Sequence, residues 1–241
     1  MNLSILIVSW NTRDLLAQCL ASIIANSPSG EYEVIVVDNA SADGSAAMVR
    51  TRFPETVLIE NKANVGFAGA NNHAIARSRG RYLLLLNPDT VVEPGAPAAL
   101  VDFMDAQPDA GAAGALLLNP DGSLQDSCYP APTIFRELWR LFHLDALFPL
   151  AQYRMDEWPR DTPRAVDTVQ GACMIVRREV IDRVGMMDPS YFMYSEEVDW
   201  CLRIRRAGWR IYWVPRSRIV HFGAQSTRQV ASRMFVQLYR G

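Results

Sequence analysis

Residues 82–89 read YLLLLNPD, an apolar run that stops at the polar group Asn87-Pro88-Asp89. A continuous apolar run of this kind is typical of a strand that is covered on both faces of a parallel sheet. Leu3–Ser9 and Tyr32–Asp38 have the same form, and Thr56–Glu60 is a shorter candidate. Together with Tyr82–Leu86, these segments predict four buried strands.

Helical segments alternate with these strands. Arg13–Ala25 places its apolar side chains on one helical stripe, and Ser45–Phe53 and Ala68–Ser78 are further helical segments. Strand–helix–strand units of this length need right-handed crossovers between parallel strands. We therefore expect an α/β fold with a parallel sheet over roughly the first 110 residues.

The second half of the chain is less regular. Glu196–Arg206 is a predicted helix, with Ser195 as its N-cap and Gly208 just past its end. Ile134–Leu147 is an amphipathic segment within a stretch rich in prolines and aromatic residues. The strand-like segments are Ala112–Leu118, Val169–Val176, Trp209–Val214 and Arg218–His221.

Composition limits the class of protein. The 241 residues carry 24 Lys and Arg against 26 Asp and Glu, which gives a net charge of −2. This balance argues against a protein that coats nucleic acid, because such a protein needs a strong basic excess. A content of 49% hydrophobic and 21% charged residues excludes intrinsic disorder.

The sequence also predicts a cytoplasmic protein. No apolar stretch approaches the roughly 18 residues of a membrane span, and the N-terminus lacks the basic region of a signal peptide. The four cysteines are far apart and form no CxxC pair, which favours buried free thiols over disulfides or structural zinc. They are Cys19, Cys128, Cys173 and Cys201.

Several common catalytic motifs are missing. The sequence contains no GxGxxG after the first strand, no GxxxxGK[ST], no GxSxG and no HExxH. Instead, polar residues follow three predicted parallel strands, at Ser9-Trp10-Asn11, Asp38-Asn39 and Asn87-Pro88-Asp89. In open α/β sheets, ligands bind outside the carboxyl ends of the strands. The three strand ends therefore outline a crevice of nucleotide size.

Each of these polar residues has two interpretations. Asp38 either accepts a hydrogen bond from a ribose or a base, or caps the following turn. Asp89 either binds a divalent cation together with diphosphate oxygens, or caps a turn after Pro88. His221 ends a strand as a ligand or as a structural residue. The small and amide residues of 61–72, NKANVGFAGANN, either approach a sugar or phosphate or form a capping loop.

A series of blocks resembles one known family over most of the chain, from Leu3 to about Thr227. Together they are similar to family 2 inverting glycosyltransferases of GT-A fold, and more narrowly to bacterial rhamnosyltransferases. This resemblance implies a single domain over residues 1–241, with a nucleotide-sugar-binding half to about residue 89 and an acceptor-binding, catalytic half from about residue 90. The blocks are ILIVSWNT, VVDNASADGS, NKANVGFAGANN, LLLLNPDTVV, QGACMIVRREVIDRVGMMD, FMYSEEVDWCLRIRRAGWRI and VHFGAQST.

The resemblance implies a donor site and a metal. Asn87-Pro88-Asp89 stands where the family has its D-x-D motif, so Asn87 replaces the first acid and Asp89 is the remaining carboxylate ligand for Mg²⁺ or Mn²⁺. His221 is similar to a second metal ligand in relatives. The implied nucleotide-sugar-binding residues are Ser9, Trp10, Asn11, Asp38, Asn64, Gly66, Asn71, Asn87 and Asp89.

The resemblance also implies the catalytic residues. Glu196-Glu197 stands at the family's acidic pair, which makes Glu197 the general base and gives Glu196 a supporting role. Repulsion between these neighbours raises a pKa while a helix N-terminus lowers it, so the sequence leaves the net direction open. The residues implied to position the acceptor are Gly171, Ala172, Asp199 and Trp200.

The resulting expectation is transfer of L-rhamnose from dTDP-L-rhamnose to a cell-envelope or lipid-linked glycan. A UDP-hexose or UDP-galactofuranose donor is the alternative within this class, and a catalytically silent sugar-nucleotide-binding module is the alternative outside it. A nucleotidyltransferase is disfavoured because Trp10-Asn11-Thr12-Arg13 replaces a Gly-rich basic loop. Ile134–Leu147 is interpreted either as a membrane-surface helix or as a helix packed on the protein's own core or on a dimer mate.

Overall fold

Most strands join one central sheet. A computed structural model describes residues 1–26, 30–146 and 148–223. In chain order, the strands are β1 (Leu3–Ser9), β2 (Tyr32–Asp38), β3 (Val57–Glu60), β4 (Tyr82–Leu86), β5 (Thr90–Val92), β6 (Ala110–Leu118), β7 (Leu124–Gln125), β8 (Cys128–Tyr129), β9 (Arg164–Val166), β10 (Thr168–Val169), β11 (Cys173–Arg177) and β12 (Arg210–His221).

Helices connect these strands. They are α1 (Arg13–Ala25), α2 (Ser45–Arg52), α3 (Gly66–Arg77), α4 (Ala96–Ala106), α5 (Ile134–Leu141), α6 (Arg178–Val184) and α7 (Glu196–Arg206). Short 3₁₀ turns cover Leu144–Ala146 and Met155–Glu157. Among the residues described, no helix is long and apolar enough to cross a bilayer.

The order of strands in the sheet is β3-β2-β1-β4-β11-β6-β12-β5. Strands β3, β2, β1 and β4 are parallel, which confirms the predicted parallel sheet as far as β4, whereas β5, within the first 110 residues, is antiparallel to its neighbour. Strand β11 is antiparallel to both β4 and β6, β6 is parallel to β12, and β5 is antiparallel to β12. The sheet is therefore mixed beyond β4.

Two apolar cores lie on the two faces of this sheet. Ile5 and Ile7 of β1 belong to one core, which also contains buried residues of α1, α2 and α4. Leu6 and Val8 belong to the other core, with residues of α3, α6 and α7. This alternation follows from the two-residue period of a strand. The four cysteines are buried and free, as predicted.

The structure corrects several predicted elements. Trp209–Val214 and Arg218–His221 form one strand, β12, whose register shifts between Val214 and Arg218 because a bulge absorbs the intervening residues. Val169–Val176 is interrupted at residues 170–172, which turn into the wall of a cavity described below. Strand β5 and helix α4 were not predicted. The end of the VHFGAQST block, from residue 224 onward, lies outside the described residues.

The predicted cap of α7 is only partly correct. Ser195 does occupy the N-cap position, but its backbone lies in the left-handed region with φ 70°, and its side chain makes no capping bond. Its carbonyl oxygen accepts the first helical bond, from the N–H of Asp199 at 2.9 Å. Gly208 follows the helix with φ 93°, as expected of a C-terminal glycine.

Candidate active site

A cavity opens at the carboxyl ends of the parallel strands β1, β2 and β4. Residues from the second half of the chain close its other side, so both halves contribute to one wall. The lining residues are Val8, Trp10, Asn39, Asn64, Gly66, Phe67, Asn87, Pro88, Asp89, Gln170, Gly171, Ala172, Met193, Tyr194, Glu196, Glu197 and His221. The position agrees with the crevice predicted from the polar strand ends.

The carboxylate of Asp38 uses only one of its oxygens within the protein. Oδ2 accepts a hydrogen bond from the backbone N–H of Ser41 at 3.1 Å, which is the turn-capping contact that the sequence suggests. Oδ1 is enclosed and has no hydrogen-bond partner among the described residues. A buried carboxylate oxygen without a donor is costly. Asp38 therefore caps its turn through Oδ2, and it lies behind the cavity wall rather than among the lining residues.

Asn39 fixes the loop that carries Asn64 and Gly66. Its Nδ2 donates to Oδ1 of Asn64 at 2.8 Å and to the carbonyl oxygen of Gly66 at 3.2 Å. Its Oδ1 accepts from Nδ2 of Asn61 at 2.9 Å and from the N–H of Val65 at 3.1 Å. One buried amide thus holds the loop between β3 and α3 against the end of β2.

Asp89 and His221 meet although 132 residues separate them. Oδ1 of Asp89 lies 3.3 Å from Nε2 of His221, and both side chains are almost fully buried. Nδ2 of Asn87 lies 3.3 Å from the same Nε2. The carboxylate and the imidazole come together because β4 ends before Asn87 and β12 ends at His221, on the same side of the sheet.

These side chains fit an incomplete metal site. The described part of the chain contains no group of three or more His, Cys, Asp or Glu side chains that could hold a metal ion. One carboxylate oxygen and one imidazole nitrogen nevertheless face each other at 3.3 Å. Mg²⁺ usually takes one or two protein carboxylates and completes its coordination with phosphate oxygens and water. The pair therefore suits a cation that a diphosphate ligand helps to hold.

Glu196 and Glu197 begin α7 and face the same cavity. One carboxylate oxygen of each, Oε2, is enclosed and has no hydrogen-bond partner in the described part of the chain. Burial, followed by the charge of Glu197, raises the pKa of Glu196 to about 8. Burial also raises the pKa of Glu197. Desolvation thus outweighs the helix N-terminus, which settles the direction that the sequence left open.

Strained backbone surrounds this cavity. Asn11, Ala40, Tyr194 and Ser195 have φ values of 52°, 65°, 70° and 70°, and Gly66 has φ 78°. Positive φ values are unfavourable for residues with a Cβ, and such residues concentrate at functional sites. The strand ends β1 and β2 and the start of α7 therefore hold conformations that the chain would otherwise avoid.

The structure brings most, but not all, of the predicted site residues to the cavity wall. Trp10, Asn64, Gly66, Asn87, Asp89, Gly171, Ala172, Glu196, Glu197 and His221 line it. Ser9 and Asn11 lie beside it: the Ser9 hydroxyl bonds that of Thr12 at 3.0 Å, and Oδ1 of Asn11 accepts from the N–H of Ala42 at 2.8 Å.

Three predicted residues have structural contacts instead. Asn71 is buried and donates to the carbonyl oxygen of Phe67 at 3.0 Å. Asp199 forms an ion pair with Arg203 at 2.8 Å, one helical turn further along α7. Trp200 is fully buried and donates its indole N–H to the carbonyl oxygen of Gly185 at 2.9 Å. These contacts anchor α3 and α7 rather than form the cavity wall.

Sequence reasoning missed several lining residues. Phe67, Met193 and Tyr194 give the wall an apolar and aromatic side, and Gln170 adds an amide whose Oε1 is enclosed without a partner. Gln170 stands next to Gly171 in a block that was singled out. The sequence did contain a signal for Gln170: a polar residue interrupts the apolar run of Val169–Val176 at this point.

Comparison with known sequences gives two informative relatives. The chain is 32% identical to the N-acetylglucosaminyl-diphospho-decaprenol L-rhamnosyltransferase of Mycobacterium tuberculosis, over 96% of this chain and 80% of that protein. It is 24% identical to rhamnosyltransferase WbbL of Escherichia coli (strain K12), over 96% of this chain and 87% of that protein.

Solved structures show the same fold at low identity. GalNAc-T7, crystallised with UDP, GalNAc and Mn²⁺, matches 92% of this chain with a TM-score of 0.68 and 17% identity. The mannosyltransferase PcManGT from Pyrobaculum calidifontis, in complex with GDP-Man and Mn²⁺, matches 99% with a TM-score of 0.66 and 22% identity. The chain spans 44% and 63% of these two proteins.

The family model described as "Glycosyl transferase family 2" matches residues 4–185. This region contains more than half of the chain and includes β1 to β4 with their polar ends. The structural neighbours are GT-A glycosyltransferases, in agreement with the mixed sheet and the cavity at its strand ends. The protein therefore belongs to glycosyl transferase family 2 and has the GT-A fold.

Proposed function

We propose that the protein is an inverting rhamnosyltransferase, which moves L-rhamnose from dTDP-L-rhamnose to a lipid-linked or other cell-envelope glycan. One observation carries this proposal: a single cavity is lined by the Asp89–His221 pair and also by the enclosed carboxylates of Glu196 and Glu197. The choice of sugar is supported by the relative from Mycobacterium tuberculosis, which is a rhamnosyltransferase.

The nucleotide end of the donor binds at the strand ends β1 and β2. The free Oδ1 of Asp38 accepts a hydrogen bond from the base or the ribose, and Trp10 provides an aromatic surface in the cavity wall. The loop fixed by Asn39 brings the backbone of Gly66 to the same wall. These groups bind and orient the donor without taking part in bond making.

Asp89 and His221 would hold a metal ion, Mg²⁺ or Mn²⁺. When bound, such an ion would supply positive charge to stabilise the departing diphosphate. Asn87 lies beside the pair and donates its amide toward His221. The two divalent-metal complexes among the structural neighbours support this assignment.

Glu197 removes the acceptor proton. As the acceptor hydroxyl oxygen bonds to the anomeric carbon, the bond between that carbon and the diphosphate oxygen breaks, and the hydroxyl proton passes to the Glu197 carboxylate. Attack from the face opposite the diphosphate inverts the anomeric configuration. The raised pKa of Glu197, caused by burial, makes the carboxylate a stronger base than an exposed glutamate.

An exposed apolar patch supports a lipid-linked acceptor. The patch consists of Ile134, Phe135, Leu138, Leu141 and Phe142, on and directly after α5, with 47–83% of each residue exposed. Asp167 connects the segment before α5 to the C-terminal end of α7: Oδ2 accepts from the N–H of Ala131 at 2.8 Å, and Oδ1 pairs with Arg205 at 2.8 Å.

We assign the patch to the surface of the bilayer that carries the acceptor. A helix with apolar side chains on one face and charged groups elsewhere lies in the headgroup region of a membrane. The relative from Mycobacterium tuberculosis has a name that specifies a decaprenol-linked acceptor. Peripheral contact through α5 would bring the cavity to such a lipid, while the chain remains on the cytoplasmic face.

The direct test is a transfer assay with dTDP-L-rhamnose, UDP-glucose, UDP-galactose and UDP-galactofuranose against a polyprenyl diphosphate glycan. We expect turnover with dTDP-L-rhamnose, inverted anomeric configuration in the product, and loss of turnover in EDTA. Preference for a UDP sugar would replace the donor assignment. Binding of sugar nucleotides with neither transfer nor donor hydrolysis would identify a silent binding module and overturn the enzymatic proposal.

A further inference from the structure

We propose that Gln125, itself oriented by Asn119, is a positioning residue that fixes the tautomer of His221 and so prepares Nε2 to bind the metal ion. The inference rests on the proposed function insofar as Asp89 and His221 hold a metal. It adds two residues that neither the sequence motifs nor the cavity wall contains.

The chain of contacts starts at a backbone carbonyl. Nδ2 of Asn119 lies 2.9 Å from Oγ of Ser123 and 3.4 Å from the carbonyl oxygen of Leu124. A carbonyl oxygen only accepts hydrogen bonds, so the amide nitrogen of Asn119 must face it. Oδ1 of Asn119 is therefore left to accept a hydrogen bond from the side chain of Gln125.

The side-chain amide of Gln125 connects Asn119 to the imidazole of His221 and so fixes which ring nitrogen carries the hydrogen. Its Nε2 donates to Oδ1 of Asn119 at 3.1 Å, which leaves Oε1 directed at Nδ1 of His221 at 2.7 Å. An amide oxygen has no proton to give, so Nδ1 of His221 carries the hydrogen. Strand β6 pairs with both β7 and β12, and so brings Gln125 beside the end of β12.

The consequence appears at the other ring nitrogen. In a neutral imidazole with its proton on Nδ1, Nε2 presents a lone pair. This lone pair faces the amide of Asn87 at 3.3 Å and Oδ1 of Asp89 at 3.3 Å. The amide of Asn87 donates to this lone pair in the structure, and a cation between Nε2 and Oδ1 of Asp89 would satisfy both electron-rich atoms at once. Gln125 therefore holds His221 in its metal-binding form.

The first experiment needs no metal or nucleotide. The chain contains three histidines, so long-range ¹H–¹⁵N spectra can assign each ring, with His73→Gln and His143→Gln identifying the other two. We expect the spectra to place a hydrogen on Nδ1 of His221, the ring nitrogen that faces Oε1 of Gln125. Gln125→Leu removes the acceptor and should shift the proton toward Nε2, whereas Gln125→Glu keeps an acceptor oxygen and should retain it on Nδ1.

The second experiment measures Mn²⁺ affinity by calorimetry in the presence of dTDP. We expect Gln125→Leu to weaken Mn²⁺ binding by about 10- to 100-fold, the usual effect of losing such an outer partner of a ligating histidine. Gln152→Leu, the same change at an exposed glutamine, should bind as the wild type does. Thermal unfolding of each variant checks that the comparison is between folded proteins.

The outcomes separate the two proposals. A wild-type protein that binds no Mn²⁺ overturns the metal assignment itself. Wild-type Mn²⁺ affinity in Gln125→Leu overturns only the role of Gln125, as does a His221 proton on Nε2 in the unmodified protein. If Gln125→Leu does not fold, Gln125→Glu tests whether an acceptor at residue 125 keeps the hydrogen on Nδ1 of His221. Loss of that hydrogen in Gln125→Glu would contradict the inference.

Discussion

The backbone N–H of Phe67 donates to the carbonyl oxygen of Phe192 at 2.7 Å. This bond joins the first turn of α3 to the segment that leads into α7, and so ties the donor-side loop to the glutamate pair. Gly66 makes the approach possible. A Cβ at Gly66 would lie 2.3 Å from the Phe192 carbonyl oxygen, and its φ of +78° is itself unfavourable for other residues.

Gly66→Ala should therefore damage activity as well as stability. We expect a loss of stability above the roughly 1–2 kcal/mol of left-handed strain, and a lower kcat, because Phe192 and the residues before α7 must move. Gly95→Ala is the matched control, since Gly95 has φ +76° but no atom within 4 Å of an added Cβ. Urea unfolding and kcat of both variants test this. Equal effects would show that the Phe192 contact has no catalytic consequence.

Glu197→Gln should abolish most turnover while donor binding persists. The amide keeps the size of the side chain and removes its basicity, so we expect kcat to fall by roughly 10²–10⁴ with nearly unchanged donor affinity. Glu196→Gln should have a milder effect. Steady-state kinetics and calorimetry with dTDP measure both. The reverse ranking would make Glu196 the base, and normal turnover in both variants would exclude the glutamate pair as the source of the base.

The free energy of unfolding should decrease as pH rises, because Glu196 loses a proton that the folded state holds. Its pKa lies near 8 in the folded protein against about 4.5 in an unfolded chain. The folded state thus holds the extra proton, and its contribution is complete below about pH 4.5 and is lost as pH rises through about 8. Between these two pH values, the free energy of unfolding should fall by about 1.4 kcal/mol per pH unit, which is the value for one proton.

Glu196→Gln should flatten this part of the stability profile. Urea unfolding between pH 5 and pH 8 measures the effect, and Glu55→Gln, a change at an exposed glutamate, provides the control. An identical slope in Glu196→Gln and in the wild type would contradict the assignment of this proton to Glu196.

Asp38→Asn should weaken nucleotide binding without unfolding the turn. Its side-chain oxygen can still accept from the N–H of Ser41, while the new NH₂ replaces the free acceptor. Loss of a charge-assisted hydrogen bond corresponds to roughly 1.5–3 kcal/mol, or about ten- to a hundredfold in affinity. Calorimetry with dTDP and UDP tests this, with the exposed Asp14→Asn as control. Unchanged affinity for both nucleotides would exclude the role of Asp38.

Ile134→Ser combined with Leu138→Ser should reduce binding to vesicles that contain anionic lipid. The matched control is Ile24→Ser, because Ile24 is also an exposed isoleucine, 57% accessible, on the separate helix α1. Co-sedimentation measures the bound fraction. No binding by the wild type would exclude the membrane assignment. A change of oligomeric state in ultracentrifugation, without a change in vesicle binding, would instead assign the patch to a second copy of the chain.

The sequence was most informative where strands are fully buried. The largely apolar runs of β1, β2 and β4 allowed their bounds to be predicted because burial on both faces leaves few polar positions within a strand. Strand β5 has only three residues, and β12 contains Pro215 within its bulge, so local pattern alone could neither detect the first nor join the second. Helix α4 begins after an exposed loop with Gly95 in a left-handed conformation, and its alanines show little periodicity.

The site could be predicted only where it coincides with strand ends or with family blocks. Asp89 and His221 meet both conditions, whereas the glutamate pair lies at the start of helix α7 and was predicted from its family block alone. Gln125 lies in a two-residue strand, and its contact with His221 depends on the pairing of β6 with two other strands, which no local window contains. For Trp200 the family block was misleading. Its place in the block suggested a role in the acceptor site, but the side chain is fully buried in the core.

The left-handed residues around the cavity have a consequence for how this protein could be stabilised. Asn11, Ala40, Tyr194 and Ser195 carry side chains at φ values that glycine adopts at lower energy. Replacing them with glycine would release local strain, yet would also let the donor loop and the start of α7 adopt other shapes. Glycine at these four positions would therefore trade relief of backbone strain against the fixed shape of the cavity wall.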